Sequence, residues 1–302
     1  MKSIVYYIKK VRSNPNAILI YLINTGVLNW LDDKTFLSLK YRARLGKKMD
    51  LNMPQGFNEK LQWLKLYDRN PQYSLLVDKY SSKTYVAKTI GEEYLIPTLG
   101  VWDAFDQIDF SKLPNQFVLK CTHDSGGVVL VNNKEKLNMK MAREKINKSL
   151  RHNYYKVGRE WPYKDVPHRI IAEAYMGDNL QDYKIFCFNG KPKMTLVCSN
   201  RFEKTGLCED FFDNSWKHLN LKRPNHENYY GSIKKPQGFD IMLKLAEKLS
   251  RNLPFARIDF YDINGKIYFG EITLYPANGF EGFDPPEWDR IIGDWLVLPE
   301  PF

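Results

Sequence analysis

Residues 257–272 read RIDFYDINGKIYFGEI, two runs of Ile, Phe and Tyr joined by Asn264-Gly265, a dipeptide suited to a tight hairpin turn. A core hairpin should be apolar on its buried face, yet Arg257, Asp259 and Glu271 bring three charges into it. A two-residue turn would set Asp259 opposite Gly270 and send Asp259 and Glu271 to opposite faces. A three-residue loop, Ile263-Asn264-Gly265 with Gly265 left-handed, instead pairs Arg257 with Glu271 and Asp259 with Phe269. That register gathers Arg257, Asp259, Glu271 and Thr273 on one face, with the two carboxylates roughly 7 Å apart at the backbone. Such a pair, with neutral oxygens and open positions around it, suits magnesium, which keeps waters and takes phosphate oxygens. An arginine–carboxylate cluster that only closes the sheet explains any one of these charges, and explains three on one face less well.

Outward from the hairpin, the 302-residue chain is 43% hydrophobic and 14% aromatic, too apolar for disorder and long enough for one large core or several small ones. Its four cysteines form no C-x-x-C pair and its five histidines show no ligand spacing, so neither a disulfide framework nor a zinc site is expected. A reduced, cytoplasmic compartment fits. The formal charge of +10 asks for an anionic partner, and cations cluster at Lys9-Lys10-Arg12, Arg42 to Lys48 and Lys222-Arg223. With no helix-turn-helix, zinc-finger or RNA-recognition pattern, nucleic acid ranks below a nucleotide, a sugar acid or a membrane surface. A plain solvated basic surface competes with all of them. The apolar run from Ala17 to Leu31 is broken by Asn24, Gly26 and Asn29 and falls short of the ~20 residues of a spanning helix. It reads as a buried helix, with interfacial contact at the inner face of a membrane as the lesser alternative.

Residues 1–70 carry helical spacing, and SLLVDKYSSKTYVAKTIGEEYL is expected to continue as helix to Gly91. LIPTLGVW and FVLKCT read as strands, the second followed by the turn HDSGG and the strand VVLV, with KLNMKMAREKINKSLRHNYY as a covering helix. RIIAEAYM, DYKIFCFNGKPKMTLVCS and GLCEDFFD alternate as strands around a second Asn-Gly turn, and an amphipathic helix from Gly238 to Leu253 leads into the opening hairpin. The order is a helical front, a small sheet with a helix, then a larger antiparallel sheet with a helix.

Several residues in that order have chemistry to offer. Lys120 ends an apolar strand and can meet a phosphate, and the turn His123 to Gly127 offers backbone N–H groups that could close over one. Most such turns are only hairpins, and the chain has neither a G-x-x-x-x-G-K-[ST] loop nor a G-x-G-x-x-G turn. Lys79, before a helix, is a second phosphate candidate. The strand through Glu173, Ala174, Tyr175 and Met176 could edge an adenine with backbone groups, Asp182 could accept from ribose hydroxyls, and Lys184 could face phosphates. Taken singly, each is more readily a surface side chain; their order along the chain is what speaks for a site.

In that order the motifs DK before a helix, FVLK with a Gly-rich turn, EAYM with DYK, and R-x-D-x(11)-E-x-T resemble the ATP-grasp superfamily. FNEKLQWLKLYDRNP, LVDKYSSKTYVAKTIGEEYLIPTLGVWD and RIDFYDINGKIYFGEITLYPANGF resemble more specifically its TupA-like branch, named for teichuronopeptide synthesis, over Trp30 to the C-terminus. The resemblance implies an α+β ATP-grasp fold, two lobes clamping ATP and Mg2+, behind a helical N-terminal extension. The expected division is residues 1–70 for the helical region, 71–115 for a preceding segment, 116–172 for the small lobe and 173–302 for the large lobe with the metal hairpin. It further implies a carboxylate-amine ligase of cell-surface polysaccharide synthesis, joining a uronate carboxylate to an amino acid or amine through an acyl phosphate. Carried over, Lys79 and Lys120 hold phosphates, His123, Ser125, Gly126 and Gly127 form the closing loop, and Glu173 to Met176 line the adenine. Asp182 takes the ribose, Asp259 and Glu271 take magnesium, and Arg257 and Lys120 act on the transferring phosphoryl group. Thr273 stands where many ATP-grasp ligases have Asn, and HDSGG where this branch has a shorter loop. Arg201, Thr273 and Asn278 are candidate substrate contacts. A glycosyltransferase of the same pathway is the alternative, although the chain lacks a D-x-D; a polysaccharide-binding module is a third reading, which the scattered tryptophans disfavour.

Overall fold

A computed structural model describes residues 16–178, 180–200, 206–229 and 231–300 of the chain. The helical front begins with α1 (Asn16–Thr25) and α2 (Asp33–Leu45). The Asp32 carboxylate accepts from the Thr35 N–H at the start of α2, and Gly46, at φ 72°, ends it in the left-handed conformation. The two helices close around Ile23, Phe36, Leu37 and Tyr41, with Phe280 inserted from the far end of the chain. α3 (Phe57–Tyr67) turns Phe57, Leu61 and Leu64 into the largest core, a spacing of one helical face.

The single helix expected up to Gly91 is two, α4 (Tyr73–Val77) and α5 (Ser81–Ile90). Asp78 is extended between them, and its carboxylate accepts from the Tyr80 N–H at 3.1 Å and the Ser81 hydroxyl at 2.7 Å. An aspartate that can satisfy the next helix's free N–H groups competes with helix continuation, and here the break wins. The break exposes the Lys79 N–H, which donates to the Thr122 carbonyl at 3.0 Å.

β1 (Thr98–Trp102), β2 (Phe117–Cys121), β3 (Val129–Val131) and β4 (Ile170–Ala174) form an antiparallel sheet of order β1-β4-β2-β3. Phe117, Leu119 and Cys121 alternate into a core shared with Ala142 and Ile146 of α6 (Met139–Leu150). The short α7 (Tyr155–Gly158) follows. β5 (Asp182–Phe188), β6 (Lys191–Ser199), β7 (Cys208–Asp213), β8 (Phe255–Ile263) and β9 (Lys266–Thr273) form the second antiparallel sheet, of order β7-β6-β5-β8-β9. Against it α8 (Phe239–Ser250) lays Met242, Leu245, Ala246 and Leu249, and α9 (Trp288–Trp295) packs on α3. Among the described residues no helix is long and apolar enough to cross a membrane.

The deciding hairpin differs from the expected register. Its turn is the two-residue one: Ile263 pairs with Lys266, and Asn264 and Gly265 both have positive φ, at 55° and 84°. Between Asp259 and Phe260 the register shifts, leaving Gly270 as an extra residue on β9, so Asp259 faces Glu271 and Arg257 faces Thr273. A Cβ at Gly270 would stand 3.1 Å from the Asp259 carbonyl oxygen, so the bulge is built on a close approach. One extra residue reverses side-chain parity on its strand. The expected pairing and loop length are therefore wrong, while the expected face, with Arg257, Asp259, Glu271 and Thr273 together, is right.

Candidate active site

Strand alternation that sends Leu119 into the core points Val118 and Lys120 the other way. In the register Val118 faces Glu173 and Lys120 faces Ile171, so Lys120 and Glu173 are diagonal neighbours on that outer face. The Lys120 ammonium lies 2.5 Å from Glu173 Oε2, and the ammonium of Lys83, from α5, 2.7 Å from Oε1. Burial would raise the Glu173 carboxyl, but Lys120 and Lys83 override it and hold the group below its ordinary value. Lys120 and Glu173 of this triad line a cleft of about 1260 Å³ whose walls include Ile96, Val118, Val129, Met141 and the linker Ala174, Tyr175, Met176 and Gly177, with Tyr261 contributed by β8. Charged groups also reach it from α6, at Glu144, Lys145 and Lys148, and a cleft of apolar walls with charged groups among them is the usual form of a small-molecule site.

Beyond Tyr261 lies the charged face of the hairpin. Arg257 grips Asp259 with two donors, Nε to Oδ1 at 2.7 Å and Nη2 to Oδ2 at 2.8 Å, and Nη2 also reaches Glu271 Oε1 at 2.9 Å. Lys184 stands opposite Asp259 on β5, with its ammonium 2.5 Å from Asp259 Oδ2 and 3.4 Å from Asp182 Oδ2. The Thr273 hydroxyl is 3.3 Å from Glu271 Oε1. Burial raises the Glu271 carboxyl, but Lys79, Arg257, Lys184 and Lys120 outweigh it and bring the group down to about 2. Burial likewise pushes Asp259 up, with Arg257 and Lys184 opposing.

Lys79 joins the two parts of the site. Its ammonium is 3.9 Å from Glu271 Oε2 and donates to the Asp124 carbonyl at 2.7 Å, while its charge acts on Lys120 and Glu173. The glycine turn is pinned from below: Asp124 accepts from the Ser149 hydroxyl at 2.6 Å and meets His152 Nδ1 at 2.8 Å, both tethers to the end of α6. Gly126 has φ 98°, and a Cβ on Gly127 would fall 2.1 Å from Ser149 Oγ, so each glycine answers a local demand.

The hard oxygens of Asp259, Glu271 and Thr273 suit magnesium, with water and phosphate oxygens as the remaining ligands. Both Asp259 oxygens already accept from Arg257 and Lys184, so a cation here would replace one of those contacts. Among the described residues no group of three or more His, Cys, Asp or Glu is arranged to hold a metal.

Of the expected site residues, the structure brings together Lys79, Lys120, Glu173, Lys184, Asp182, Arg257, Asp259, Glu271 and Thr273, and sets Gly126 and Ala174 to Met176 along the cleft. Glu173 takes part through its side chain as well as its strand edge. His123 is displaced: its ring is buried in a parallel stack on His168, 3.7 Å between centroids, and burial, with His168 adding, lowers it to about 4. It supports the turn from inside. Ser125 is exposed beside Asp124, and Arg201 and the Lys9-Lys10-Arg12 cluster lie outside the described residues. Asn278 sits at φ 55° next to Ala277 at 49°, its carbonyl accepting from Lys65 and Gln62. Sequence reading missed Lys83, whose signal was available one helical turn after Lys79, and Glu160 and Lys65, for which no local pattern exists; it placed Asp124 in the turn without its anchoring role.

A family model described as TupA-like ATPgrasp matches residues 59–297. The chain belongs to the TupA-like ATP-grasp family. The matched span takes in both sheets and every charged group of the site, and leaves α1 and α2 outside it. No curated protein matches the chain. Similar solved structures include an L-amino acid ligase from Bacillus licheniformis, at 11% identity and TM-score 0.49 over 90% of this chain and 64% of that one. D-alanine-D-alanine ligase from Helicobacter pylori is similar at 17% identity and TM-score 0.39, over 74% and 63%. N5-carboxyaminoimidazole synthetase from Staphylococcus aureus is similar at 14% identity and TM-score 0.40, over 74% and 53%. The chain spans less than two thirds of the length of each.

Proposed function

We propose that this protein is an ATP- and magnesium-dependent ligase that joins a sugar-acid carboxylate to an amino acid or other amine, in the making of cell-surface polysaccharide. The observation that carries the reading is the continuity of the charged groups: Glu173, paired with Lys83, and Lys120 line the cleft, and Lys79 leads from them to Glu271, Arg257 and Asp259. A nucleotide with its base in the cleft would lay its phosphates along that line. The sugar-acid and pathway parts rest on the resemblance to a family named for teichuronopeptide synthesis. Exposed Ile18, Tyr21, Val27 and Trp30 on and after α1 support peripheral contact with the inner face of a membrane.

A carboxylate does not condense with an amine in water because its oxygen is a poor leaving group; phosphorylation by ATP makes it a good one. Lys79 and Lys120 hold the phosphate oxygens, and Arg257, fixed by Asp259 and Glu271, faces the charge that builds on the moving phosphoryl group. Asp259 and Glu271 would hold a magnesium ion, which would supply neutralisation of the phosphate charge. The glycine turn, tethered through Asp124, keeps water from the acyl phosphate. The two sheets act as lobes on either side of the nucleotide, the first running from β1 to β4, so that it takes in a strand ahead of the expected start at residue 116, and the second from β5 to β9.

Calorimetric titration of ATP tests the reading. Magnesium-dependent binding to wild type that Glu271→Ala abolishes is the expected result; wild type without nucleotide binding under any condition would sink it.

A further inference from the structure

Glu160 is 3% exposed, and its Oε1 is buried without a hydrogen-bond partner among the described residues. A buried carboxylate oxygen left unsatisfied is costly and uncommon. Cations surround it, yet none bonds that oxygen: each makes other hydrogen bonds, and Arg159 keeps one buried donor, Nε, without a partner. Lys65, the strongest charge acting on it, donates to Gln62 Oε1 at 3.0 Å, the Gly158 carbonyl at 2.8 Å and the Asn278 carbonyl at 2.7 Å. Lys40 donates to the Val157 carbonyl, Arg159 to the carbonyls of Asn29 and Leu31, and Arg257 to Asp259 and Glu271.

A second acceptor shares this condition. Asn278 Oδ1 is also buried without a partner, and Lys65 draws it close by bonding the carbonyls of both Asn278 and Gly158, two residues before Glu160. The approach is close enough that a Cβ on Gly158 would overlap Asn278 Oδ1. Three residues there, Arg159, Ala277 and Asn278, hold positive φ at 54°, 49° and 55°, a backbone cost that tends to gather at ligand sites. Tyr154 and Tyr163, with ring centroids 4.7 Å apart, feel the charges of both Glu160 and Glu271, which puts the pair of acceptors on the hairpin's side of the molecule.

We propose that Glu160 and Asn278 form the amine site: they receive the ammonium group of the nucleophile, and Glu160 takes its proton as the nitrogen attacks. The proposal rests on the ligase reading and names the half of the site that the nucleotide does not use. An ammonium brings the N–H donors that both oxygens lack. It passes one proton to Glu160; the freed lone pair forms the C–N bond while the C–O bond to phosphate breaks, and the departing phosphate takes the second nitrogen proton. Burial raises the Glu160 carboxyl to about 7, against the pull of Lys65, Lys40 and Arg257 and with the help of Glu271, which suits a group that must accept a proton near neutral pH.

The test saturates wild type and Glu160→Gln with magnesium and the ATP analogue AMP-PNP, then titrates each with the twenty standard amino acids as amine probes. At least one is expected to bind wild type and to bind Glu160→Gln about thirtyfold or more weakly, the loss that follows removal of one partner from a buried ion pair. AMP-PNP affinity is expected to be unchanged, which a general loss of structure would not allow. If Glu160→Gln does not fold, Glu160→Asp replaces it, with weakened but measurable probe binding expected. Equal probe binding in wild type and variant, or no probe bound by wild type, overturns the assignment. Wild type that fails to bind AMP-PNP overturns the ligase reading beneath it.

Discussion

Glu160→Gln should flatten a specific part of the dependence of stability on pH. In the native protein the Glu160 carboxyl is raised by burial from its ordinary 4.5 to about 7. Below the ordinary value both states hold the proton. As pH rises, the unfolded chain ionises first while the native state keeps its proton, so stability falls through this window and is fully lost only above about 7. The difference of roughly 2.5 units, at about 1.4 kcal/mol each, amounts to about 3 kcal/mol. Two other buried groups act in the opposite sense. Lys65, lowered by burial to about 7, adds stability only above that pH, whereas His123, lowered to about 4, adds stability as pH rises toward its ordinary 6.5. The observable is therefore the difference between wild type and variant, from urea denaturation followed by tryptophan fluorescence at half-unit steps from pH ~4.5 to ~7.5. That difference should change by about 3 kcal/mol across the range, in the direction that favours the variant at higher pH. A difference constant with pH would refute the reasoning, since it would mean that Glu160 ionises alike in both states.

Lys65→Met keeps the apolar stem but strips a donor from Gln62 Oε1 and from the carbonyls of Gly158 and Asn278. The Asn278 carbonyl keeps its bond from Gln62 Nε2, so at about 1–3 kcal/mol for each of the two orphaned acceptors the loss should be about 2 kcal/mol or more, read by chemical denaturation; a neutral result would mean these bonds contribute little. Gly127→Ala puts a Cβ 2.1 Å from Ser149 Oγ and 2.5 Å from Ser149 Cβ, so the Ser149–Asp124 tether must shift. The cost is expected at about 1–3 kcal/mol with weaker ATP binding; unchanged ATP affinity would separate the tether from the nucleotide site.

Much of the candidate site was legible because its signals are local. Asn264-Gly265 marks a turn, Lys120 falls on the outward parity of FVLKC, and three charges in RIDFYDINGKIYFGEI stand out against Ile, Phe and Tyr. The break at Asp78 is not legible because helical spacing continues through it, while the Asp78 carboxylate acts through hydrogen bonds from the Tyr80 N–H and the Ser81 hydroxyl that spacing does not encode. His123 falls in the closing loop when the family pattern is carried over position by position, a pattern that does not encode its stack on His168, far along the chain, which puts it inside.

By itself the sequence determined which residues carry charge, which strands and turns present them, and, through motifs spread along the chain, the family. Tertiary structure decided how they meet. Whether Asp259 and Glu271 share a face depended on one extra residue, Gly270, whose position is set by pairing across β8 and β9 rather than by the turn. The meeting of Lys83 and Lys120 on Glu173, and of Lys65, Glu160 and Asn278, joins segments far apart in the chain. Periodicity describes which way a side chain points from its own strand or helix; what it meets there is settled by packing between elements, which buries both Glu160 and Glu271 yet leaves the first raised by that burial and the second lowered by the cations gathered around it.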